Sequence, residues 1–435
     1  MNQFYADYKR KLTTADKAVQ KIRNDETIFY GMTMAQPPAL LTALADRGRA
    51  NDVRGLKIYT FLPLEHAHRT VLDPVLSDVF QNYSFFVGKS DRSMIRTGLT
   101  YYVPSYFHQI PRLLTEFIPI DTTLTTVSPM DEHGYFTFGT SNDCTSTAAR
   151  TCKRLIIEVN KNMPRVFGDS LIHISQVDTI IENHIPLLEF KVPEPRPEDD
   201  IIGPMISEII PDGATIQLGV GGLPNTVAKY LSDHKDLGVH TELFTTGMYD
   251  LILKGVITGR KKNQHFLKNV FTTAGGSKDM YDFMNNNPTM ESYPASYVCD
   301  PYIIGKNDNL ISINSVLEVD LLGQANAEFL DHTTFSGTGG QLDFVRGAFK
   351  SKGGKSFLAF YSTAKDGKVS RVVPRLDAGA VVTTPRTDAH YLATEYGMVN
   401  LKGKSTKERA LDIIGIAHPD YRDELLKEAE NMYIL

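Results

Sequence analysis

Two glycine-rich turns flank a stretch of chain that carries one well-placed acid. The first, Gly219-Val-Gly-Gly-Leu-Pro-Asn225, follows the strand-like run Thr215-Ile-Gln-Leu218 and leads into a helical pattern whose Val227, Tyr230 and Leu231 share an apolar stripe. Pro224 falls where proline is tolerated at a helix start. The second, Phe335-Ser-Gly-Thr-Gly-Gly-Gln-Leu-Asp-Phe344, comes much later in the chain. Glycines this dense are needed where backbone approaches another object closely or takes positive φ, and amides at a strand-to-helix junction converge on an anion. Between the turns, His240-Thr-Glu-Leu243 puts Glu242 after a strand-like entry and before a turn at Gly247. One βα unit returns the chain beside the first turn, so a carboxylate faces anion-binding amides. That suits acyl transfer: the carboxylate attacks a carbonyl while N–H groups hold the developing oxyanion, each worth about 3–4 kcal/mol. Taken singly, either turn reads as a tight bend and Glu242 as a solvated surface charge.

Other chemistries lack their residues. The first turn is not GxGxxG, because Pro224 occupies the last glycine position, and it lacks the GK[ST] of a nucleoside triphosphate loop. No GxSxG elbow occurs, which argues against a serine thioesterase. His66 and His68 have no third or fourth ligand at sensible spacing, so no metal is expected. Cys144, Cys152 and Cys299 form neither a CxxC pair nor an even disulfide set, and Cys144 reads as a small buried residue. A reducing cytoplasm fits them. The net charge of -5 gives no attraction to nucleic acid, and hydrophobic residues at 42% with charged residues at 22% are ordinary for a soluble globular protein. The first residues lack the apolar stretch of a secretory signal, and no run of about 20 apolar residues suggests a membrane span.

The elements that must position these groups follow from length and pattern. A chain of 435 residues is long enough for two domains. The clearest composition break is Lys191-Val-Pro-Glu-Pro-Arg-Pro-Glu-Asp-Asp200, whose prolines exclude helix interior and central strand. We therefore expect an N-terminal domain over 1–192, a linker over 193–200 and a C-terminal domain over 201–435. Apolar runs such as Leu155-Ile-Ile-Glu-Val159 and Gly379-Ala-Val-Val-Thr-Thr384 alternate with helical patterns on both sides, predicting two similar open α/β halves with largely parallel sheets. Ala35-Gln-Pro-Pro-Ala39 and Val127-Ser-Pro-Met-Asp-Glu-His-Gly134 read as loops. Pro419–Ala429 reads as a terminal helix with acids in its first turn.

Several motifs occur together and in order: Gly219–Asn225, His240–Leu243, Ile313-Asn-Ser-Val-Leu-Glu-Val-Asp320, Gly337-Thr-Gly-Gly-Gln-Leu-Asp-Phe344 and Thr394-Glu-Tyr-Gly397. With Ser128–Gly134 and Val159-Asn-Lys-Asn-Met-Pro-Arg165 they cover nearly the whole chain. In these the sequence resembles the acetyl-CoA hydrolase/transferase family, and within it the 4-hydroxybutyrate CoA-transferase group, which includes butyrate and itaconate CoA-transferases. The resemblance implies two CoA-transferase-type α/β domains with the active site between them, Gln36–Pro38 and Ser128–Met130 closing over the acyl group, and a homodimer or higher homo-oligomer. It implies a CoA-transferase moving CoA from acetyl-CoA or succinyl-CoA to a small carboxylate such as 4-hydroxybutyrate, butyrate or itaconate. No cofactor is permanently bound; coenzyme A and acyl-CoA are substrates.

By the same resemblance Glu242 is the nucleophile, passing through a mixed anhydride to a glutamyl-CoA thioester. Gly219, Val220, Gly221, Gly222 and Leu223 match the CoA-contacting loop, and Leu317, Gly340 and Lys365 match further CoA contacts. Asn314, Gly337 and Gly339 are candidates for supporting the substrate or an oxyanion. On residue type alone, Leu317 would pass as core and Lys365 as a solvated side chain. Cys299 stands where relatives commonly have Asn before Asp-Pro, so acceptor preference is expected to differ if that position touches substrate. Glu395 resembles the Glu-x-Gly nucleophile of more distant CoA-transferases and ranks second. The rival enzyme is an acyl-CoA hydrolase using the same glutamate; a non-catalytic acyl-CoA sensor is the alternative of another class.

Overall fold

Val, Ile and Thr are dense in Thr122–Val127 and Arg154–Val159, the first-unit strands buried on both faces, as a parallel sheet requires. The computed structural model describes residues 3–191, 194–219 and 221–435. The chain divides into two units, one running to Phe190 and including Val270–Val298, the other comprising Lys191–Asn269 and Cys299–Leu435. In the first, strands β1 (Thr27–Tyr30), β2 (Leu56–Thr60), β3 (Phe80–Ser84), β4 (Thr100–Tyr102), β5 (Thr122–Val127), β6 (Arg154–Val159) and β7 (Thr179–Glu182) form one sheet in the order β7-β6-β5-β1-β2-β3-β4. Every neighbouring pair is parallel. Helix α1 (Pro38–Arg49) follows β1 and buries Leu40, Leu41 and Leu44 in one core with Ile28, Ile58 and Leu56. Because β1 has β2 on one side and β5 on the other, the winding direction reverses there, and in open α/β sheets ligands collect at the carboxyl ends of such strands.

The second unit repeats this logic. Strands β8 (Thr215–Leu218), β9 (Gly238–Thr245), β10 (Leu310–Ser315), β11 (Lys355–Ala359), β12 (Tyr391–Thr394) and β13 (Gly397–Asn400) lie side by side in the order β13-β12-β11-β10-β8-β9. All these neighbours are parallel except the β12–β13 hairpin. Helix α2 (Gly222–Tyr230) leaves β8, and α3 (Gln341–Lys350) precedes β11. Here the winding reverses at β8, between β9 and β10. The chain closes with α4 (Thr406–Gly415) and α5 (Pro419–Asn431), the latter with Asp420 in its first turn.

The predicted α/β class and paired open sheets are present, but the division of the chain differs from a simple cut at the Pro-rich segment. Val270–Val298 belongs with the first unit, not with 201–435. Backbone hydrogen bonds explain it: Asn142 N–H donates to Thr272 O, Ala274 N–H to Thr140 O and Ala295 N–H to Asp143 O, stitching this excursion to the 140–143 turn. No change in composition marks such an excursion. The expected linker is also shorter, because Asp199 and Asp200 already belong to the helix Asp199–Ser207. Val192 and Pro193 lie outside the described residues. Among the described residues no helix is long and apolar enough to cross a membrane.

Helix α1 starts against a buried acid. Glu158 on β6 is fully buried, and its carboxylate accepts hydrogen bonds from Ala39 N–H (3.0 Å), Leu40 N–H (3.2 Å) and the Asn183 amide (2.6 Å). Burial nevertheless pushes its carboxyl up to about 7. Glu158→Ala is expected to cost about 1–3 kcal/mol in urea unfolding, since it strands the first amides of α1; an unchanged midpoint would remove Glu158 from this capping role.

Candidate active site

Strand β9 carries Glu242 outward on a run that is otherwise buried, so the one partly accessible residue in Gly238–Thr245 is the acid. Pairing of Thr215 with Gly238 and of Ile216 with Val239 fixes the β8–β9 register. The second of these pairs lies three residues before Gly219, which follows the end of β8, and three residues before Glu242 on β9. Neighbouring strands lie about 4.8 Å apart. The single βα step expected from the sequence is present, since β9 follows β8 through α2 and pairs with it in parallel.

The second turn meets the same acid. Gly340 caps the N-terminus of α3, and its N–H donates to the Glu242 carboxylate. A methyl group at Gly340 would overlap Glu242 Oε2, so only glycine lets the helix end approach so closely. Protein mass around the carboxyl raises it to about 7, the nearby Asp343 charge adds to the rise, and the Gly340 amide opposes it. Cys299 stands in the same wall, its Sγ 3.4 Å from where a Gly340 Cβ would sit. Burial drives its thiol upward, and the charges of Glu242 and Asp343 push the same way.

The first turn is braced from below by three polar side chains. Gln217 and Asn314 exchange amide hydrogen bonds (3.1 and 3.2 Å), while Ser312 donates to Gln217 Oε1 (2.6 Å) and accepts from Asn314 Nδ2 (2.9 Å). All three are buried. Asn314 Oδ1 would lie 2.6 Å from a Cβ at Gly219, and Gly219 N–H donates to Ile313 O at 2.7 Å. Gly221, at φ 139, is the N-cap of α2. Leu223 is buried in that helix, so the turn can offer a ligand its backbone but not this side chain. Val220 lies outside the described residues.

The remaining candidates fall in two places. Gly337 and Gly339 are buried in the turn before α3, Gly339 at φ 56. Leu317 and Lys365 line a cavity of about 470 Å³ together with His332, Arg371 and Phe329, whose described lining does not include Glu242. Lys365 sits at φ 50 in the exposed turn between Thr363–Ala364 and Val369–Ser370. Sequence reasoning missed Gln217, Ser312 and Asp343. A signal existed for the first two: polar side chains inside apolar strands, with Ser312 and Asn314 two apart and hence on one face. Asp343 carried none, being one acid in a helix.

The secondary candidates are engaged elsewhere. The Glu395 carboxylate accepts from Ser362 N–H (3.0 Å) and from the Ser362 hydroxyl. His66 Nε2 lies 2.9 Å from Pro38 O, and His68 Nε2 lies 3.1 Å from Asp91. Among the described residues no group of three or more His, Cys, Asp or Glu could hold a metal ion. Cys144 is fully buried, and burial raises its thiol well above the usual range.

A carboxyl raised from 4.5 to about 7 lets the folded protein bind its proton more tightly than the unfolded chain does. The resulting stability is whole below pH 4.5 and lost as pH rises through 7. Glu242→Gln should therefore unfold about 1–3 kcal/mol less readily than the native chain at pH 8, with the gap closing near pH 5. A difference independent of pH would show that the carboxyl is not perturbed.

Two family models match most of the chain. Residues 1–189 match the acetyl-CoA hydrolase/transferase N-terminal domain, and residues 276–429 match the C-terminal domain of the same family. The chain is 43% identical to 4-hydroxybutyrate coenzyme A transferase of Clostridium kluyveri over 98% of this chain and 99% of that one. It is 42% identical to succinyl-CoA:cyclohexane-1-carboxylate CoA transferase of Geobacter metallireducens over 98% and 96%. Among solved structures, RipA from Yersinia pestis is 48% identical with a TM-score of 0.97, covering 100% of both chains. The 4-hydroxybutyrate CoA-transferase of Porphyromonas gingivalis is 37% identical with a TM-score of 0.84, over 99% of this chain and 100% of that one. The acid against the Gly340 amide thus sits in a chain that belongs to the acetyl-CoA hydrolase/transferase family.

Proposed function

We propose that this protein is a CoA-transferase that carries CoA between small carboxylic acids through covalent attachment to Glu242. The observation that carries this reading is the Glu242 carboxylate lying against the Gly340 N–H at a helix N-terminus, within a glycine-lined wall. Relatives at 40–43% identity whose names are CoA-transferases support the reaction class.

In the first step a Glu242 oxygen attacks the donor thioester carbonyl, the C–S bond breaks, and CoA leaves as the thiolate. The product is a mixed anhydride between Glu242 and the donor acyl group. The thiolate then attacks the glutamyl carbonyl carbon, releasing the donor acid and leaving Glu242 as a thioester of CoA. An acceptor carboxylate attacks that thioester, and CoA returns to the new acyl group, restoring the carboxylate. One thioester replaces another, so no external energy source enters, and two half-reactions give ping-pong kinetics. The Gly340 amide and the buried glycine turn supply donors for charge developing on the glutamyl oxygen. Gly219, Gly221 and Gly222 offer backbone to CoA, and Leu317 and Lys365 line a cavity suited to part of it. The three free thiols suit a reducing cytoplasm.

Attack requires the ionised form, so kcat/KM for the acyl-CoA donor should rise about tenfold per pH unit below pH 7 and level off above it. A flat profile would separate Glu242 from the attacking step. Glu242→Ala should abolish transfer while CoA binding persists. Borohydride added after acyl-CoA should reduce the thioester and mark Glu242 in a peptide digest; a mark on Glu395 would reassign the nucleophile.

A further inference from the structure

Helix α3 brings a second acid to the helix end that Glu242 uses. Counted from the N-cap Gly340, Asp343 is the third residue of the helix and lies in its first turn. An acid at that position ordinarily reaches back to the N-cap N–H and closes a capping box. Here the Gly340 N–H donates to Glu242, which arrives from β9. Two carboxylates from separate parts of the sequence thus draw on the positive end of one helix. Both belong to the second unit, as do Gly340 and Cys299.

Capping alone does not account for this acid. Asp343 is only 2% exposed, and Leu342, Phe344 and Val345 beside it are buried. Holding an anion there costs desolvation that a neutral asparagine in the same place would avoid. Charges set so deep are little screened by salt. The titratable groups that face Glu242 from other elements are Asp343 on α3 and Cys299, just ahead of the helix Pro301–Ile304. His240, two residues back on β9, lies against Phe344 with 6.2 Å between ring centres. Among the described residues, the side-chain charge that acts on the Glu242 carboxyl is that of Asp343, and it has the same sign.

We infer that Asp343 is a positioning residue for the nucleophile: its negative charge repels the free Glu242 carboxylate and so favours the covalent states in which Glu242 is neutral. The free enzyme holds two like charges at one helix end. Acylation turns Glu242 into an anhydride and then a thioester, the repulsion ends, and the Gly340 donor remains for the glutamyl oxygen. Asp343 exchanges no atom or proton in these steps; it acts through space. This rests on the transferase reading above, with Glu242 as the nucleophile.

The test is Asp343→Asn, which keeps the shape and removes the charge. Native and variant enzyme are mixed with acetyl-CoA, and the share of chains carrying CoA on Glu242 is read by intact-mass spectrometry. At pH 8 the ratio of thioester to free enzyme should fall about tenfold in the variant, whereas near pH 5, with Glu242 protonated in both, the two should agree. The pH at which kcat/KM for acetyl-CoA levels off should drop by about one unit. A third comparison needs no turnover. A raised carboxyl loses its stabilising proton as pH rises, so Glu242→Gln gains over its parent at pH 8; with Asp343→Asn in both, that gain should shrink about tenfold as a ratio of unfolding constants. An acid with a structural role alone would lower stability and turnover by one factor at every pH and leave the three comparisons unmoved, which overturns the inference. Should circular dichroism show that Asp343→Asn does not fold, Asp343→Ser removes the same charge and takes its place. If the native enzyme forms no thioester and serves no acceptor, the transferase reading fails; the unfolding comparison then decides on the repulsion, an undiminished gain overturning it and a diminished one upholding it.

Discussion

A carboxylate pressed against a helix N-terminus, with too little water to settle its charge, is the constraint around which the second unit is built. Glu242 faces opposing influences: the Gly340 amide favours the anion, while burial and the Asp343 charge disfavour it, and the disfavouring side wins. The result is an acid poised near neutrality, where small changes in its surroundings alter its charge. Such an acid is less stabilised as an anion than one in water, and correspondingly readier to form a bond.

Holding that acid demands that everything near it stay still. The Gln217–Asn314–Ser312 cluster satisfies its own polar atoms within the strand layer and presses on Gly219, so the first turn rests on a rigid base. Closed networks of this kind specify one arrangement of buried strands. The two units apply the same topological device, a reversal of winding beside a central strand, and in each the loops that follow the reversing strands carry the unusual residues.

Much of this was legible beforehand because glycine density and strand-to-helix order are local signals. The α/β class, the first turn entering a helix at Gly222 and the single βα step from β8 to β9 all depend on residues close in sequence. The excursion Val270–Val298 was not legible, since its place is fixed by hydrogen bonds to residues 140–143 far back in the chain. Asp343 gained meaning only when folding set it beside Glu242, whereas Cys299 already stood out as a departure from its relatives and folding added its neighbours. Gln36 could be placed in a loop from its prolines, but its unpartnered amide is a property of three-dimensional packing.

The position of Cys299 bears on chemoselectivity. In the reaction proposed above an acylated Glu242 would be an electrophile, and a thiolate in the same wall would compete with coenzyme A for it and trap the enzyme as a dead-end internal thioester. Burial, with the Asp343 charge that persists when Glu242 is acylated, pushes that thiol upward, and a neutral thiol is a poor nucleophile. The wall thereby tolerates a soft, compact side chain next to an activated acyl group without diverting it.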